Sequence, residues 1–321
     1  MAQPEIGRVV LMPNPAALGS GLAEHVKGQI TSSRRWRRDA IILPTQPGGL
    51  EPNAEMLRKS LEPGDAIGAL CGDGSFWFIV GGLIVSKLAN SVPVASLGGG
   101  NARDIGRATQ RRRGTPAAEF LAQAHAVQSY ALRSEITHGQ RTSTFFAASY
   151  MGWGKTALGA ARVNTAEYRN GWRPYQDLRV GTTTLNNPHA FTITDQQGAS
   201  HRLGDLTVAT SSQIAKVGRP PVKPWEKQMW VAPTKPGRLR AWAALGGLLV
   251  GSSLPMFGAY HDGPYRFTLE SSAPYHFDGE TLWPGKNQQI ILEPGTEVTV
   301  GLDERPYQLL TDVRGAFQRD F

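Results

Sequence analysis

Short apolar runs alternate with stretches of helical apolar spacing over the first third of the chain, and the pattern changes from Thr142 onward. Gly7 to Met12 is a strand-like run ending in Pro13-Asn14-Pro15, and a helical stretch follows from Gly19 to Ile30. Ala40 to Leu43 reads as a second strand, closed by Pro44-Thr45-Gln46-Pro47, with a helix from Asn53 to Leu61. A third, Asp65 to Leu70, meets Cys71-Gly72-Asp73-Gly74-Ser75 and a helical run from Phe76 to Leu88. Val92 to Leu97 is a fourth, followed by Gly98-Gly99-Gly100-Asn101 and the basic segment Arg103 to Arg113. Strands that alternate with helices predict a parallel sheet covered on both faces, with any ligand at the strand carboxyl ends. All four strand-end loops then share one edge.

Thr115-Pro116 starts a further helix, in which Phe120, Leu121, Ala124, Val127 and Tyr130 recur at helical spacing; this is read as the hinge. Beyond Thr142 come short β-rich runs at Thr144 to Ala148, Leu178 to Leu185, Ala190 to Thr194, Leu206 to Thr210, Lys227 to Val231 and Pro264 to Glu270. Tyr275 to Phe277, Gln288 to Leu292 and Glu297 to Val300 complete the set. Turns rich in Gly, Pro, Asp and Asn separate them, which predicts an antiparallel sandwich or barrel. Ala241 to Tyr260 carries no charge, but its glycines and Pro255 favour a buried helix and a loop over a membrane span.

Composition narrows the partners. A chain of 321 residues exceeds the roughly 250 to 300 at which single cores stop growing, so two domains are expected. Thirty-four Lys and Arg against 26 Asp and Glu leave a formal charge of +8, which favours an anionic partner. Cys71 is the single cysteine, so an intramolecular disulfide and a cysteine-rich metal site are excluded. Met1 to Val10 lacks a signal-peptide core, and a cytoplasmic location is expected.

A strand, a Gly-Asp-Gly-Ser turn and a helix bring backbone N–H groups and a carboxylate to one sheet edge, a common place for phosphates; the same residues also make an ordinary turn. Asp278-Gly279-Glu280 offers two acids, and it equally fits a hairpin turn. Arg34-Arg35-Trp36-Arg37-Arg38 fits an anionic membrane surface, a nucleic acid or a solvated loop, and Arg111-Arg112-Arg113 fits a solvated run or one that faces a membrane or a nucleotide. His138 and His276 lack metal-ligand spacing, His261 before the turn Asp262-Gly263-Pro264 reads as a surface group, Trp225 and Trp230 read as core or interface aromatics, and no P-loop or nucleophile elbow occurs.

Asn14-Pro15, Thr45, Gly72 to Ser75, Leu97 to Asn101 and the late Asp278-Gly279-Glu280, in this order across nearly the whole chain, resemble the diacylglycerol kinase catalytic family. That family includes bacterial lipid kinases and is similar to the sphingosine and ceramide kinases. The resemblance implies an α/β amino-terminal domain with a parallel-type sheet over 1–135 and an antiparallel β-sandwich over 136–305. A tail over 306–321 would return to the first domain, and ATP would bind in the cleft between the two. It further implies that Asn14, Pro15, Thr45, Gly72, Asp73, Gly74, Ser75, Gly98, Gly100 and Asn101 hold ATP. Asp278 or Glu280 would then act as base on a lipid hydroxyl, with Asp73 the acid of the phosphate site and Mg2+ carried by the nucleotide. The implied partners are a lipid substrate and an anionic membrane touched peripherally, with no nucleic acid; a homodimer fits equally.

The departures carry expectations too. Cys71 and Ser75 replace a Gly and a Thr of the family turn, and Trp77-Phe78 stand where that family has an Asn-Glu pair. In the fourth-strand motif Gly99 and Ala102 replace a hydroxyl and an acid. Ala232-Pro233 is followed by Thr234 to Arg238, which supplies no carboxylate for the family's structural magnesium, so that site is expected to be absent. A catalytically degenerate nucleotide- or lipid-binding relative is the alternative these changes support, and an NAD kinase-like enzyme is a third.

Overall fold

The structure is a computed structural model that describes residues 4–15, 20–34, 36–46, 49–98, 104–109, 115–165, 168, 172–215, 218–251, 258–284, 286 and 288–312. Gly100, Asn101 and the Arg111 to Arg113 run lie outside them. The chain divides into two compact units, one of Met1–Ala131, Lys223–Glu226 and Asp303–Phe321, the other of Leu132–Val222 and Lys227–Leu302.

In the first unit β1 (Arg8–Pro13), α1 (Ser20–Thr31), β2 (Asp39–Ile42), α2 (Leu50–Ser60), β3 (Asp65–Leu70), α3 (Asp73–Val85), β4 (Val94–Ser96), α4 (Asp104–Ala108) and α5 (Ala117–Gln123) alternate as the pattern predicts. Two further strands, β5 (His125–Ser129) and β18 (Tyr307–Thr311), complete a sheet of order β2-β1-β3-β4-β18-β5. β1 to β4 and β18 run parallel, and β5 pairs antiparallel with β18. β3 is buried at every position, as a central parallel strand covered on both faces must be. Gly68 in β3 is there for space, since a Cβ would lie 2.6 Å from Leu97 Cδ1 and 2.9 Å from Leu11 Cδ2. α3 is apolar all round and largely buried, with Gly82 allowing α2 to approach at Leu57.

The second unit holds β6 (Leu132–His138), β7 (Arg141–Ala147), β8 (Tyr150–Gly154), α6 (Lys155–Val163), α7 (Arg173–Leu185), β9 (Phe191–Asp195), β10 (Ser200–Leu203), β11 (Asp205–Ala209) and β12 (Met229–Thr234). It continues with α8 (Arg238–Leu249), β13 (Ala259–His261), β14 (Tyr265–Leu269), β15 (Ala273–Phe277), β16 (Ile291–Leu292) and β17 (Glu297–Leu302). Two antiparallel sheets form, β10-β9-β14-β17-β6-β7 and β13-β12-β11-β8-β15-β16. Aromatics join their inner faces: Trp153 of β8 meets Phe267 of β14 edge-on at 5.4 Å, and Ser134 of β6 shares a 2.8 Å hydrogen bond with the Tyr275 hydroxyl of β15. The α/β fold with an antiparallel sandwich is therefore the observed fold class.

Three expectations are corrected. Leu178 to Leu185 is helical: α7 packs on α6, where Arg162 donates to the Thr183 and Thr184 hydroxyls, and that tertiary packing overrides the strand propensity. The helix from Thr115 stops at Gln123; Ala124 is extended, and Val127 is buried in a strand. α8 is not a buried helix, since Ala241 and Gly247 are its fully buried residues and Trp242 and Leu249 face out.

One ion pair sets where the central strand begins. Asp65 accepts from Arg8 Nε at 2.9 Å and Nη2 at 2.6 Å, and its Oδ2 also takes the Glu62 N–H at 2.8 Å. Asp65 is buried while Arg8 keeps some water, so Asp65→Ala is expected to cost about 3 kcal/mol, the low end for breaking such a pair. Urea denaturation checks it; a loss under about 1 kcal/mol would show that the pair contributes no more than a surface bridge.

Candidate functional site

The strand-end loops of the first unit are tied to one another by their own polar groups. Thr45 donates its N–H to Pro13 O at 3.0 Å, Asn14 donates its own to Leu70 O at 3.4 Å, and Leu97 donates to Ala69 O at 2.9 Å. Each bond carries the parallel ladder past the end of a strand. The Asn14 side-chain amide then donates to Ser75 Oγ at 2.6 Å, joining the loop after β1 to the glycine turn after β3. Pro15 is exposed in the turn beyond it, and Thr45 is buried. Gly98 follows β4 with φ of 97°, a conformation suited to glycine.

Gly72 caps α3 without a side-chain hydrogen bond, while its carbonyl accepts the Ser75 and Phe76 N–H groups at 3.0 Å. Gly72, Gly74 and Ser75 are partly exposed there, at the amino end of a thirteen-residue helix. That is a phosphate-binding chemistry: backbone N–H groups, a hydroxyl and the positive end of a helix dipole. Asp73 takes another role. Buried, it accepts the Asp104 N–H at Oδ2 (3.0 Å) and the Ile105 N–H at Oδ1 (3.1 Å), holding the start of α4 against the turn. Burial pushes its carboxyl above the usual range, and those two N–H groups pull it back.

In the second unit Asp278-Gly279 is a two-residue hairpin turn with both φ positive, 47° and 82°, closed by Phe277 and Glu280 exchanging backbone bonds of 3.1 and 2.8 Å. The Asp278 carboxylate accepts three backbone N–H groups, Ala148 at 2.5 Å, Ser149 at 2.9 Å and Tyr150 at 3.0 Å. Glu280 is the partly exposed acid of the motif, its Oε1 accepting the Thr281 and Leu282 N–H groups at 3.1 Å.

Several supports carried no sequence signal. Buried Asn53, in α2, accepts the Gln46 N–H at 2.9 Å and donates to the Gln46 and Gly49 carbonyls, shaping the loop that contains Thr45. His276 is fully buried, accepts the Gly279 N–H at 3.3 Å and so fixes the Asp-Gly-Glu turn from beneath. Thr156 presents both its N–H and hydroxyl to Asp205, beside Lys155, whose ammonium donates to Leu185 O at 2.7 Å. Beside β2, Trp36 packs on the core, Arg38 lies 5.2 Å over its ring, and Arg38 Nε donates to Ile6 O at 2.6 Å. Among the described residues no group of three or more His, Cys, Asp or Glu is arranged to hold a metal ion.

Burial moves two titrations in opposite directions. His276 is lowered to about 3 from 6.5, so acid favours the unfolded chain as pH falls below 6.5. Asp205 is raised to about 6 from 3.8, chiefly by burial against the pull of Thr156, so acid favours the folded chain as pH falls through 6. Relative to wild type, His276→Phe is expected to gain stability at pH 5 over pH 7.5, and Asp205→Asn to lose it. Chemical denaturation at both pH values checks the pair, and parallel profiles for all three proteins would contradict it.

No family model matches the chain, and neither does any curated protein. Solved structures do. A diacylglycerol kinase structure from Bacillus anthracis str. Sterne aligns with a TM-score of 0.62 at 15% identity, covering 95% of this chain and 97% of that one. Two structures of a provisionally assigned diacylglycerol kinase from the same organism align at 0.67 and 0.68, both at 16% identity. They cover 95% and 97% of this chain and 97% and 99% of theirs. At such identities the likeness is one of fold, and it extends over both units.

Proposed function

We propose that this chain is a nucleotide-dependent phosphotransferase of the diacylglycerol kinase type that phosphorylates a lipid hydroxyl at a membrane surface. The observation that carries the reading is the Asn14–Ser75 bond at the uncapped start of α3, in a chain whose fold matches diacylglycerol kinase structures end to end. When bound, ATP supplies the phosphoryl group. Gly72, Gly74 and Ser75 offer its phosphates N–H and hydroxyl donors, Asn14 holds Ser75 in place, and Thr45 with Asn53 shapes the adjoining loop. Gly98 belongs to the same edge. Magnesium enters only as the nucleotide's counter-ion, and no step here depends on it.

Glu280 is the proposed base, accepting the lipid hydroxyl's proton as the oxygen attacks. Asp278 and Asp73 are assigned as positioning residues, since their carboxylates are buried against backbone N–H groups while Glu280 is partly exposed. Purified protein is expected to transfer labelled phosphate from ATP to a component of total lipid extract, and Glu280→Gln to lower the rate by about a hundredfold or more with an unchanged melting temperature. No transfer to any lipid would overturn the reading; full activity in Glu280→Gln would overturn the base.

One observation favours a second reading, in which the chain binds its ligand without turnover. Trp77 is buried and stacked on Phe78 at 3.8 Å, so apolar rings pack into the turn after Ser75 where the resembled family has an Asn-Glu pair. Calorimetry that shows ATP binding while the lipid assay shows no transfer would select it.

A further inference from the structure

Exposed apolar surface in the second unit gathers on two helices. Along α8, Leu239, Trp242, Ala243, Gly246, Leu249 and Val250 face outward at spacings of three and four, with Leu239 86% and Val250 78% exposed. The opposite side does the packing: Ala241 and Gly247 are buried, and Leu248 sits against Tyr150, Ile214, Val222 and Trp230. α7 touches α8 and adds Trp172 (76% exposed), Tyr175 and Leu178 at three-residue spacing. A helix on a water-facing surface normally turns its polar side out; here α8 turns its apolar side out, and α7 exposes large apolar side chains among Asp177, Arg179 and Thr183.

The surrounding charge identifies the occupant. Arg238, Arg240 and Lys235 are exposed at the start of α8, and Arg179 is exposed on α7. α8 contains no acid, and the Tyr168 hydroxyl donates to Asp177, the acid of α7. Tryptophan and tyrosine rings suit the headgroup level of a bilayer, leucine and valine the acyl boundary below it, and arginines the lipid phosphates. A second copy of this chain would instead set one cationic rim against another.

We propose that α7 and α8 form the face by which this protein docks on an anionic phospholipid bilayer. The inference deepens the membrane-surface part of the proposed function and rests on that reading for its purpose, but its observations are independent of Glu280 and the glycine turn. The cost of exposing these side chains to water is recovered when they enter the interface, and the arginines select anionic headgroups.

Sedimentation of the full chain with phosphatidylcholine vesicles, with or without phosphatidylglycerol and without ATP, tests the docking alone. Wild type is expected to bind the anionic vesicles. A Leu239→Glu, Trp242→Glu variant should partition at least tenfold more weakly, and Arg238→Gln with Arg240→Gln about tenfold more weakly on anionic vesicles, with a shallower salt dependence. Circular dichroism and the melting temperature should stay unchanged. Absent wild-type binding, or unaltered partition in folded variants, would overturn the proposal. So would a wild-type dimer that Leu239→Glu, Trp242→Glu makes monomeric while vesicle binding persists. Phosphate transfer to detergent-dispersed lipid separates the two ideas: docking lost in the variants while wild type transfers to no lipid sinks the kinase reading and supports the docking face.

Discussion

A buried carboxylate that accepts backbone N–H groups is the interaction on which both candidate motifs depend. Leaving water is costly for an ionised acid, and several N–H groups must offset that cost at once. Asp73 meets the requirement with the first two N–H groups of α4, and Asp278 with three consecutive ones at the Ala148 to Tyr150 turn. In each case one short side chain holds two segments far apart in sequence at a fixed separation. Positive φ at Asp278 is tolerated because those bonds over-determine the turn.

The chemistry left over is carried by neighbours. With Asp73 turned to α4, the partly exposed groups at the start of α3 are donors: N–H groups and the Ser75 hydroxyl, held by Asn14. Donors suit phosphate better than a second negative charge would. With Asp278 clamped, Glu280 is the carboxylate of its motif that retains access to water. An acid that must stay ionised and reach a substrate proton is better placed there than in the turn's core.

Much of this was legible before the fold was known. Continuous apolar runs located β1 to β4 and helical apolar spacing the helices between them, since a central parallel sheet demands continuous apolar strands. Motif order then pointed to the fold that the solved structures share. What stayed hidden was long-range. Asn53 and His276 act through partners set by tertiary contact, and neither carries a local pattern. α7 looked like a strand because Val180 and three threonines favour strands by propensity, which its packing on α6 and the Arg162 bonds to Thr183 and Thr184 override. α8 looked buried because apolarity alone does not say which face meets water. The roles of Asp73 and Asp278 were equally illegible, since a motif names the acid and not the group it bonds.

The central claim, that both motif acids are backbone clamps, is tested most directly by amide hydrogen exchange on the wild-type protein. The account predicts strong protection at Ala148, Ser149, Tyr150, Asp104 and Ile105, residues at or beside loops that would otherwise exchange quickly. Exchange at these amides as fast as in an exposed loop would contradict it, and would return Asp73 and Asp278 to the set of free site acids.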